Sequence, residues 1–394
     1  MKDRLEAFFA AEILPRHRQW SACVARRQRP PFLPSLQAKA RAAGLWNLGL
    51  ADCLSNRDYA PLAEIMGRLP WAPEVFNCQA PDVPNMIMLR HAATPAQKQR
   101  WLEPLLEGRV RSAFGMTEPD VASSDATNIV TTLTRDGGDW VVNGRKWYIT
   151  GAAHPDCAFV IVIGVSRPEA PRTGRHSCVI VPMPTPGLRM VRELRFMAWE
   201  DSIAPIAELE FRDVRVPAGN LLGEEGAGFA AAQVRLGPAR LHHCMRLLGT
   251  CEVLVELMMA RAGERTAFGR KLIDYDATQQ AIARSRIEIE QARLLVWSTA
   301  GKLDREGHQA VWRDVSMVKV AVPEMAQRVA DRAIQIFGAM GGSDDSPIHR
   351  AFAMARLLRI ADGPDEVHLR QIFRQEPPAR WSVGDSPYIT PPEA

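Results

Sequence analysis

The sequence predicts an α+β protein in three successive parts: an N-terminal helical domain (residues 1–113), a middle β barrel or sandwich (114–227) and a C-terminal four-helix bundle (228–376). Two observations carry this. Apolar residues recur at helical spacing up to about residue 110, fall into short apolar or alternating runs from 114 to 218, and return to helical spacing after Gly228. At 394 residues the chain also exceeds the ~250–300 that one core usually serves, so sub-domains are expected. With 46% hydrophobic residues there is ample material for a large core.

In the first part, Pro34 opens a helix that runs through Lys39 and stops near Gly44, with proline in and glycine out. Thr94-Pro95-Ala96-Gln97 reads as a capping box, and the helix it opens carries Trp101 and Leu105. In the second part, residues 140–142 and 145–149 read as two strands joined by an Asn143-Gly144 turn. Residues 159–163 and 178–181 read as short buried strands, and 207–211 as a half-buried one. In the third part, one helix covers 229 to about 262. A second carries Ile289, Ala292, Val296 and Leu303. Further helices span 315–321 and 324–337, separated by Pro323, and 348–360. Such a succession suggests a bundle. Residues 377–394 form a Pro-rich, loose tail.

A net charge of +4 over this length does not describe a dedicated nucleic-acid protein. The basic cluster Arg16, Arg18, Arg26, Arg27 and Arg29 reads as a solvated helix face. Seven scattered cysteines without a CxxC argue for a reducing compartment, with neither a disulfide frame nor a cysteine zinc site. His242, His243 and Cys244 are adjacent, which is poor metal geometry on a helix, so they read as helix packing or site lining and no metal is expected. Residues 1–6 mix both charges, unlike a signal or transit peptide, and no apolar run reaches the ~18 residues of a membrane span. A cytoplasmic protein is the expectation. P-loop, HExxH and GxSxG patterns are missing, and Gly226-Ala227-Gly228 lacks the third glycine of a dinucleotide fingerprint.

Five motifs remain. They are Phe114-Gly115-Met116-Thr117-Glu118-Pro119 with Ser123-Ser124-Asp125; Trp147-Tyr148-Ile149-Thr150-Gly151; Arg240 within Leu236-Gly237-Pro238-Ala239-Arg240; Arg265-Thr266-Ala267-Phe268-Gly269; and Gln335-Ile336-Phe337-Gly338 with Ala361-Asp362-Gly363-Pro364-Asp365-Glu366. In this order they resemble the acyl-CoA dehydrogenase family, over residues 30 to 375. The wording around Thr117 and Asp362 is similar to a branch that also occurs fused to a kinase-like domain in animals. The architecture the resemblance implies, helices then β module then helix bundle, agrees with the periodicity.

The resemblance implies an FAD enzyme that oxidises the Cα–Cβ bond of an acyl-CoA thioester to a trans-2-enoyl-CoA. A carboxylate takes the α proton while hydride passes to flavin N5, and hydrogen-bond donors meet the developing enolate oxygen. Asp362 falls where most members carry the base as Glu. It is one methylene shorter, a reach difference of ~1.5 Å. Two alternatives stay open: Asp362 caps a helix in an Asp-Gly-Pro turn, or Glu366 is the base. Other members carry the base just before the substrate arginine, where Ala239 stands here.

The cofactor residues implied are Phe114, Met116, Thr117, Ser124, Tyr148, Ile149, Thr150, Arg265, Phe268, Gln335, Gly338, Pro364 and Glu366. Met116 and Thr117 meet the isoalloxazine edge, Tyr148 replaces the usual Trp against the ring, and Thr150 donates to N5 or O4. Arg265 and Phe268 resemble residues that reach the FAD of a neighbouring subunit. Ala339 replaces a usual glycine beside Gly338. Read from the residues alone, the aromatic run 147–149 is also compatible with barrel core, and Arg265 with a surface ion pair to Glu264 or Asp274. Ser124, Arg240 and Gly363 are the implied substrate residues, with Gly237-Pro238 a helix break able to admit a ligand. The implied partners are an acyl-CoA, an electron-transfer flavoprotein, and further copies of the chain in a homodimer or homotetramer. The branch suggests longer, branched or 4-hydroxyacyl thioesters. Rival readings are a flavin oxidase of the same fold, acting on nitroalkanes or acyl-CoAs, and a nucleic-acid-binding flavoprotein.

Overall fold

The computed structural model describes residues 1–26, 28–197, 204–308 and 310–389. Arg27 and the end of the expected tail lie outside them. The N-terminal part comprises α1 (Lys2–Phe8), α2 (His17–Ala25), α3 (Leu33–Ala42), α4 (Asn56–Gly67), α5 (Ala72–Val75), α6 (Asp82–Ala92), α7 (Pro95–Gln97) and α8 (Glu103–Leu106). α3 has proline in its first turn, and Gly44 follows its end at φ +68°. The capping box forms both its bonds: Gln97 N–H donates to Thr94 Oγ1 (3.3 Å) and Thr94 N–H to Gln97 Oε1 (3.0 Å). A π turn joins α7 to α8 and buries Trp101.

The middle part holds β1 (Arg111–Gly115), β2 (Thr132–Asp136), β3 (Asp139–Thr150), β4 (Cys157–Val165), β5 (His176–Pro182), β6 (Leu188–Leu194), β7 (Ile206–Pro217) and β8 (Leu221–Leu222). They form one sheet in the order β6-β7-β3-β2-β4-β5-β8, with β1 parallel to β4. A single pairing, Thr132 with Val165, joins β2 to β4. Both faces of β4 and β5 are covered. Val160, Val162, Val179 and Val181 pack with Trp140, Leu209 and Phe211, while Phe159, Ile161, Ile163 and Ile180 pack against Trp101, Leu105, Met86 and Leu89 of the helices. That double burial is why these strands read as unbroken apolar runs.

Two expectations fail here. Asn143-Gly144 is not a hairpin turn, because β3 runs through it with a register shift. Gly144 sits at φ +150° where a Cβ would lie 2.4 Å from Thr131 Oγ1, and the Asn143 amide pairs with Asp213 of β7. The pair serves a bulge, a use of Asn and Gly that shares its conformational demand with a turn. The hairpin is closed instead at 136–139, with Gly137 at φ +62°. Nor does β7 alternate over 206–209, where every residue is buried; Glu208 is covered by Arg145 and Arg192, which pair with it.

The C-terminal part has α9 (Gly228–Glu264), a small hairpin of β9 (Thr266–Ala267) and β10 (Arg270–Lys271), α10 (Asp276–Glu306), α11 (Trp312–Phe337), α12 (Ile348–Leu358) and α13 (Asp365–Arg374). Pro323 does not divide α11, and Gly237-Pro238 does not break α9. Packing overrides the ~3 kcal/mol that an interior proline costs, since α11 buries Val318, Val322, Met325 and Val329 against α9. At Gly237 the missing side chain makes room for the His308 ring rather than for a ligand; a Cβ there would lie 2.1 Å from it.

One core joins α1–α5 to the bundle. At its centre α4 crosses α9 with backbones in contact: a Cβ on Gly249 would lie 1.8 Å from the Glu64 carbonyl oxygen, and one on Gly67 1.9 Å from that of Arg246. The early basic cluster is partly neutralised, Arg16 by Glu12 (2.9 Å) and Arg29 by Asp156. No helix among the described residues is long and apolar enough to cross a membrane.

Candidate active site

The turn between α12 and α13 places Asp362. Asp362 is left-handed at φ +58° and Gly363 follows at φ +104°. Asp tolerates this region better than most residues, and such outliers concentrate at functional sites. The turn is fastened from three sides. Arg240 Nε of α9 donates to the Asp362 carbonyl (2.8 Å), and His368 Nε2 of α13 lies 3.3 Å from the same oxygen. Buried Lys319 of α11 donates to the carbonyls of Leu358 and Gly363. Among the described residues no acceptor takes up the Asp362 N–H. Asp362 does not cap α13: the N-cap is Pro364 and no side chain caps that end.

The Asp362 side chain is one-fifth exposed, and its Oδ2 lies 3.5 Å from His243 Nε2. Burial pushes its carboxyl up, but the cations Arg235, Arg240 and Lys319, with His243 beside it, hold it below the ordinary carboxylate value; His243 itself is kept neutral by burial, so at neutral pH it contributes an N–H and not a charge. It is therefore ionised at neutral pH. Arg235 is itself buried, its Nε donating to Asn85 Oδ1 (2.8 Å) and its guanidinium lying 4.3 Å from the centre of the Phe114 ring. Among the described residues no carboxylate forms an ion pair with it. Burial, only partly opposed by Asp362, lowers its pKa to about 10. Asn85 also donates to Ser112 Oγ (2.9 Å), so α6 ties α9 to β1 and sets Phe114 against Arg235.

The β module supplies the second wall. Beyond Phe114, the segment 116–118 is clamped by a buried pair: Lys146 Nζ meets Glu118 Oε1 (2.8 Å) and donates to the Met116 carbonyl (2.9 Å). The Glu118 carboxylate accepts the N–H groups of Val130 (2.8 Å) and Thr131 (2.9 Å). Thr117 is joined to β3, its hydroxyl donating to the Trp147 carbonyl and its own carbonyl accepting the Trp147 N–H (3.0 Å). The Thr117 N–H has no described acceptor. A bulge between Lys146 and Ile149 turns Tyr148 outward at φ +52°, 44% exposed, with its ring edge-on to Trp147. Ile149 is buried behind it and Thr150 is half-buried. An aromatic held out at positive φ is not barrel core; a bulge has re-aimed it.

Two open depressions of about 500 and 790 Å³ lie elsewhere, where α1, α4 and α10 meet. Arg293, which lines the first of them, is already paired with Glu64 and Glu252.

Comparison with known proteins shows the family. Residues 113–214 match the family description "Acyl-CoA dehydrogenase, middle domain" and residues 226–376 match "Acyl-CoA dehydrogenase, C-terminal domain". The chain belongs to the acyl-CoA dehydrogenase family. It is 50% identical to the "Probable acyl-CoA dehydrogenase FadE2" of Mycobacterium tuberculosis, over 94% of this chain and 92% of that protein. It is 49% identical to "Acyl-CoA dehydrogenase family member 11" of Gallus gallus over 91% of this chain, which spans 46% of that longer relative. Among solved structures, a candidate acyl-CoA dehydrogenase from Mycobacterium abscessus superposes with a TM-score of 0.91 at 48% identity, covering 95% of this chain and 96% of that one. Butyryl-CoA dehydrogenase of Megasphaera elsdenii superposes at 0.80 with 25% identity and the same coverage.

Within this acyl-CoA dehydrogenase fold the expected residues fall into two groups. Asp362, Gly363, Pro364 and Arg240 meet at the turn before α13, and Phe114, Met116, Thr117, Tyr148, Ile149 and Thr150 line the β module, with Arg235 between. Other expected residues stand apart. Arg265 ends α9 and Phe268 projects from the β9–β10 hairpin that follows, Phe268 being 98% exposed, and no described carboxylate pairs with Arg265. Gln335 and Gly338 are exposed at the end of α11, where Gly338 is at φ +66°. Ser124 is exposed on the loop after β1, and Glu366 is exposed on α13. Motif reading missed Arg235, Lys319 and the role of His368, and it left His243 between helix packing and site lining. Usable signals existed: His243 stands one helical turn after Arg240, which favours site lining, and Lys319 interrupts the apolar stripe of α11.

Proposed function

We propose that this enzyme catalyses FAD-dependent α,β-dehydrogenation of an acyl-CoA thioester to the trans-2-enoyl-CoA, with Asp362 taking the α proton. The observation that carries this reading is the Asp362 turn. It has an ionised, partly exposed carboxylate, a backbone carbonyl engaged from behind by Arg240, and a free N–H. A free N–H beside a base is the donor that an enolate oxygen needs. Thioester binding would displace water from Asp362 and raise its basicity toward that of the α carbon.

The residues fit a flavin. Tyr148 offers a partly exposed ring, the Thr117 N–H is free to meet a ring acceptor, and the buried Lys146–Glu118 pair holds that segment in place. When bound, FAD supplies the two-electron acceptor for the β hydrogen. Tyr148, Met116, Thr117 and Thr150 would hold the ring, while Phe114 and Arg235 close the wall behind it. Arg265, Phe268, Gln335 and Gly338 would contact a neighbouring copy, in keeping with a homo-oligomer. An electron-transfer flavoprotein is the proposed acceptor.

Anaerobic titration of the flavoprotein with a panel of acyl-CoAs tests this. The flavin absorbance should bleach with at least one thioester in the wild type and persist in Asp362→Ala. If no thioester bleaches the wild type, the proposal fails. Equal bleaching in Asp362→Ala removes that residue as the base and leaves Glu366 to be tried. Stoichiometric peroxide in air, with no need of a carrier protein, would favour the oxidase reading.

A further inference from the structure

We infer that His243 is a positioning residue for Asp362: Arg246 fixes its tautomer, so that one neutral N–H donor faces the carboxylate. This deepens the function proposed above and rests on Asp362 being the base.

Arg246 decides the tautomer. A guanidinium only donates, and Arg246 Nη2 lies 3.0 Å from His243 Nδ1. Nδ1 therefore accepts, and the ring hydrogen resides on Nε2. That nitrogen stands 3.5 Å from Asp362 Oδ2. The contact is longer than a full hydrogen bond, and catalytic contacts of this length commonly close in the reacting complex. Arg246 is held in place: its Nη1 donates to the Cys78 carbonyl (3.3 Å), and its backbone sits at the α4–α9 crossing against Gly67. The preceding residue serves elsewhere. His242 stacks edge-on against Tyr59 (4.8 Å) and meets Asn56 (3.4 Å), so the two adjacent histidines point to different tasks.

The charged groups facing His243 are Arg246 and Arg235 from α9, Lys319 from α11 and Asp362 from the turn. Burial and Arg246 push the imidazole down to about 3, so it stays neutral. Neutrality suits the task. An imidazolium would hold Asp362 strongly in its ionised form and blunt it as a base, whereas a neutral N–H orients it at a smaller loss of basicity. Once that contact closes on Oδ2, Oδ1 is the oxygen left to take the α proton. A short Asp has one fewer torsion than Glu with which to aim, and fixing one oxygen determines where the other points.

The test uses the full-length flavoprotein. Nitrogen-15 NMR of the imidazoles, with His243 assigned by difference against His243→Gln, should show the Nε2–H tautomer at neutral pH in the wild type and its loss in Arg246→Met. The pH dependence of anaerobic flavin reduction supplies the second readout. His243→Leu should slow reduction roughly tenfold to a hundredfold and move its acid limb to higher pH, because the carboxylate has lost a donor. His243→Gln, which keeps a neutral N–H, should recover most of the rate and the limb. An Nδ1–H tautomer at His243, or a limb unmoved in His243→Leu with Gln no better than Leu, overturns the inference. Failure of every thioester to reduce the wild type is a different result. It overturns the dehydrogenase reading itself, while the tautomer measurement still decides the Arg246–His243 geometry.

Discussion

Asp362 shows how much one residue's conformation contributes to a site. Its left-handed backbone and that of Gly363 turn the carboxylate and a free N–H outward together, while Arg240 and Lys319 secure the carbonyls behind. Gly363 has no substitute here. A Cβ would lie 2.8 Å from His368 Nε2, in a conformation L-residues avoid. Gly363→Ala should lose about 1–3 kcal/mol of stability and slow flavin reduction more than tenfold, read from urea midpoints and stopped-flow traces. The carboxyl of Asp362 is held below its usual value, so this proposed base is fully ionised above the ordinary carboxylate range and is lost only as pH falls through the depressed value. The kcat/KM profile should therefore show no acid limb from Asp362 between about pH 5 and 8. A limb near pH 6 that vanishes in Asp362→Glu would contradict this.

At the scale of elements, local rules located helices and strands but misjudged their interruptions. Asn143-Gly144 and Pro323 are strong punctuation in isolation, yet β3 and α11 run through them because each is packed along its length. The opposite case is Gly249, which carries no local signal and is indispensable to α9. Its hydrogen permits the backbone contact with α4. Gly249→Ala should push the two helices apart, lower stability by about 1–3 kcal/mol, and slow flavin reduction by disturbing Arg246 one turn earlier. Unchanged thermal unfolding in that variant would show that the crossing can relax.

For the whole molecule, two features look outward. Phe268 is almost wholly exposed on a hairpin beside Arg265, a poor arrangement for an isolated chain and a reasonable one for an interface. Phe268→Ser should leave the helical content intact, lower the flavin-to-protein ratio and shift the mass distribution toward monomer; a variant with full flavin and unchanged mass would remove the hairpin from the interface. Acid sensitivity is the second whole-molecule property. His242 and His243 are pushed from 6.5 to about 3 by burial and Arg246, so between those values the unfolded chain binds the extra protons. Stability then rises with pH across that window and falls as pH drops below ~6.5, by up to ~1.4 kcal/mol per pH unit for each histidine. The urea midpoint should be lower at pH 5 than at pH 7, and His242→Phe, which keeps the packing on Tyr59, should shrink that difference.

The sequence by itself determined the order of helical, β and helical parts, the capping box at Thr94 and the helix after Pro34. It also brought out the motif residues around Thr117, Tyr148, Arg240 and Asp362. The order of parts, the cap and the helix follow from short-range physics, since periodicity and caps act within a few turns of chain, whereas the motif residues stood out through the family resemblance. Only the tertiary structure decided that Asp362 is not a helix cap, that Gly237 houses His308, and that Asn143-Gly144 is a bulge. It alone also brought Arg235, His243 and Lys319 around Asp362 from α9 and α11, 43 to 127 positions away in the chain. Such assembly depends on which faces of distant helices meet, and that is set by close packing across the core, for which no local pattern carries the information.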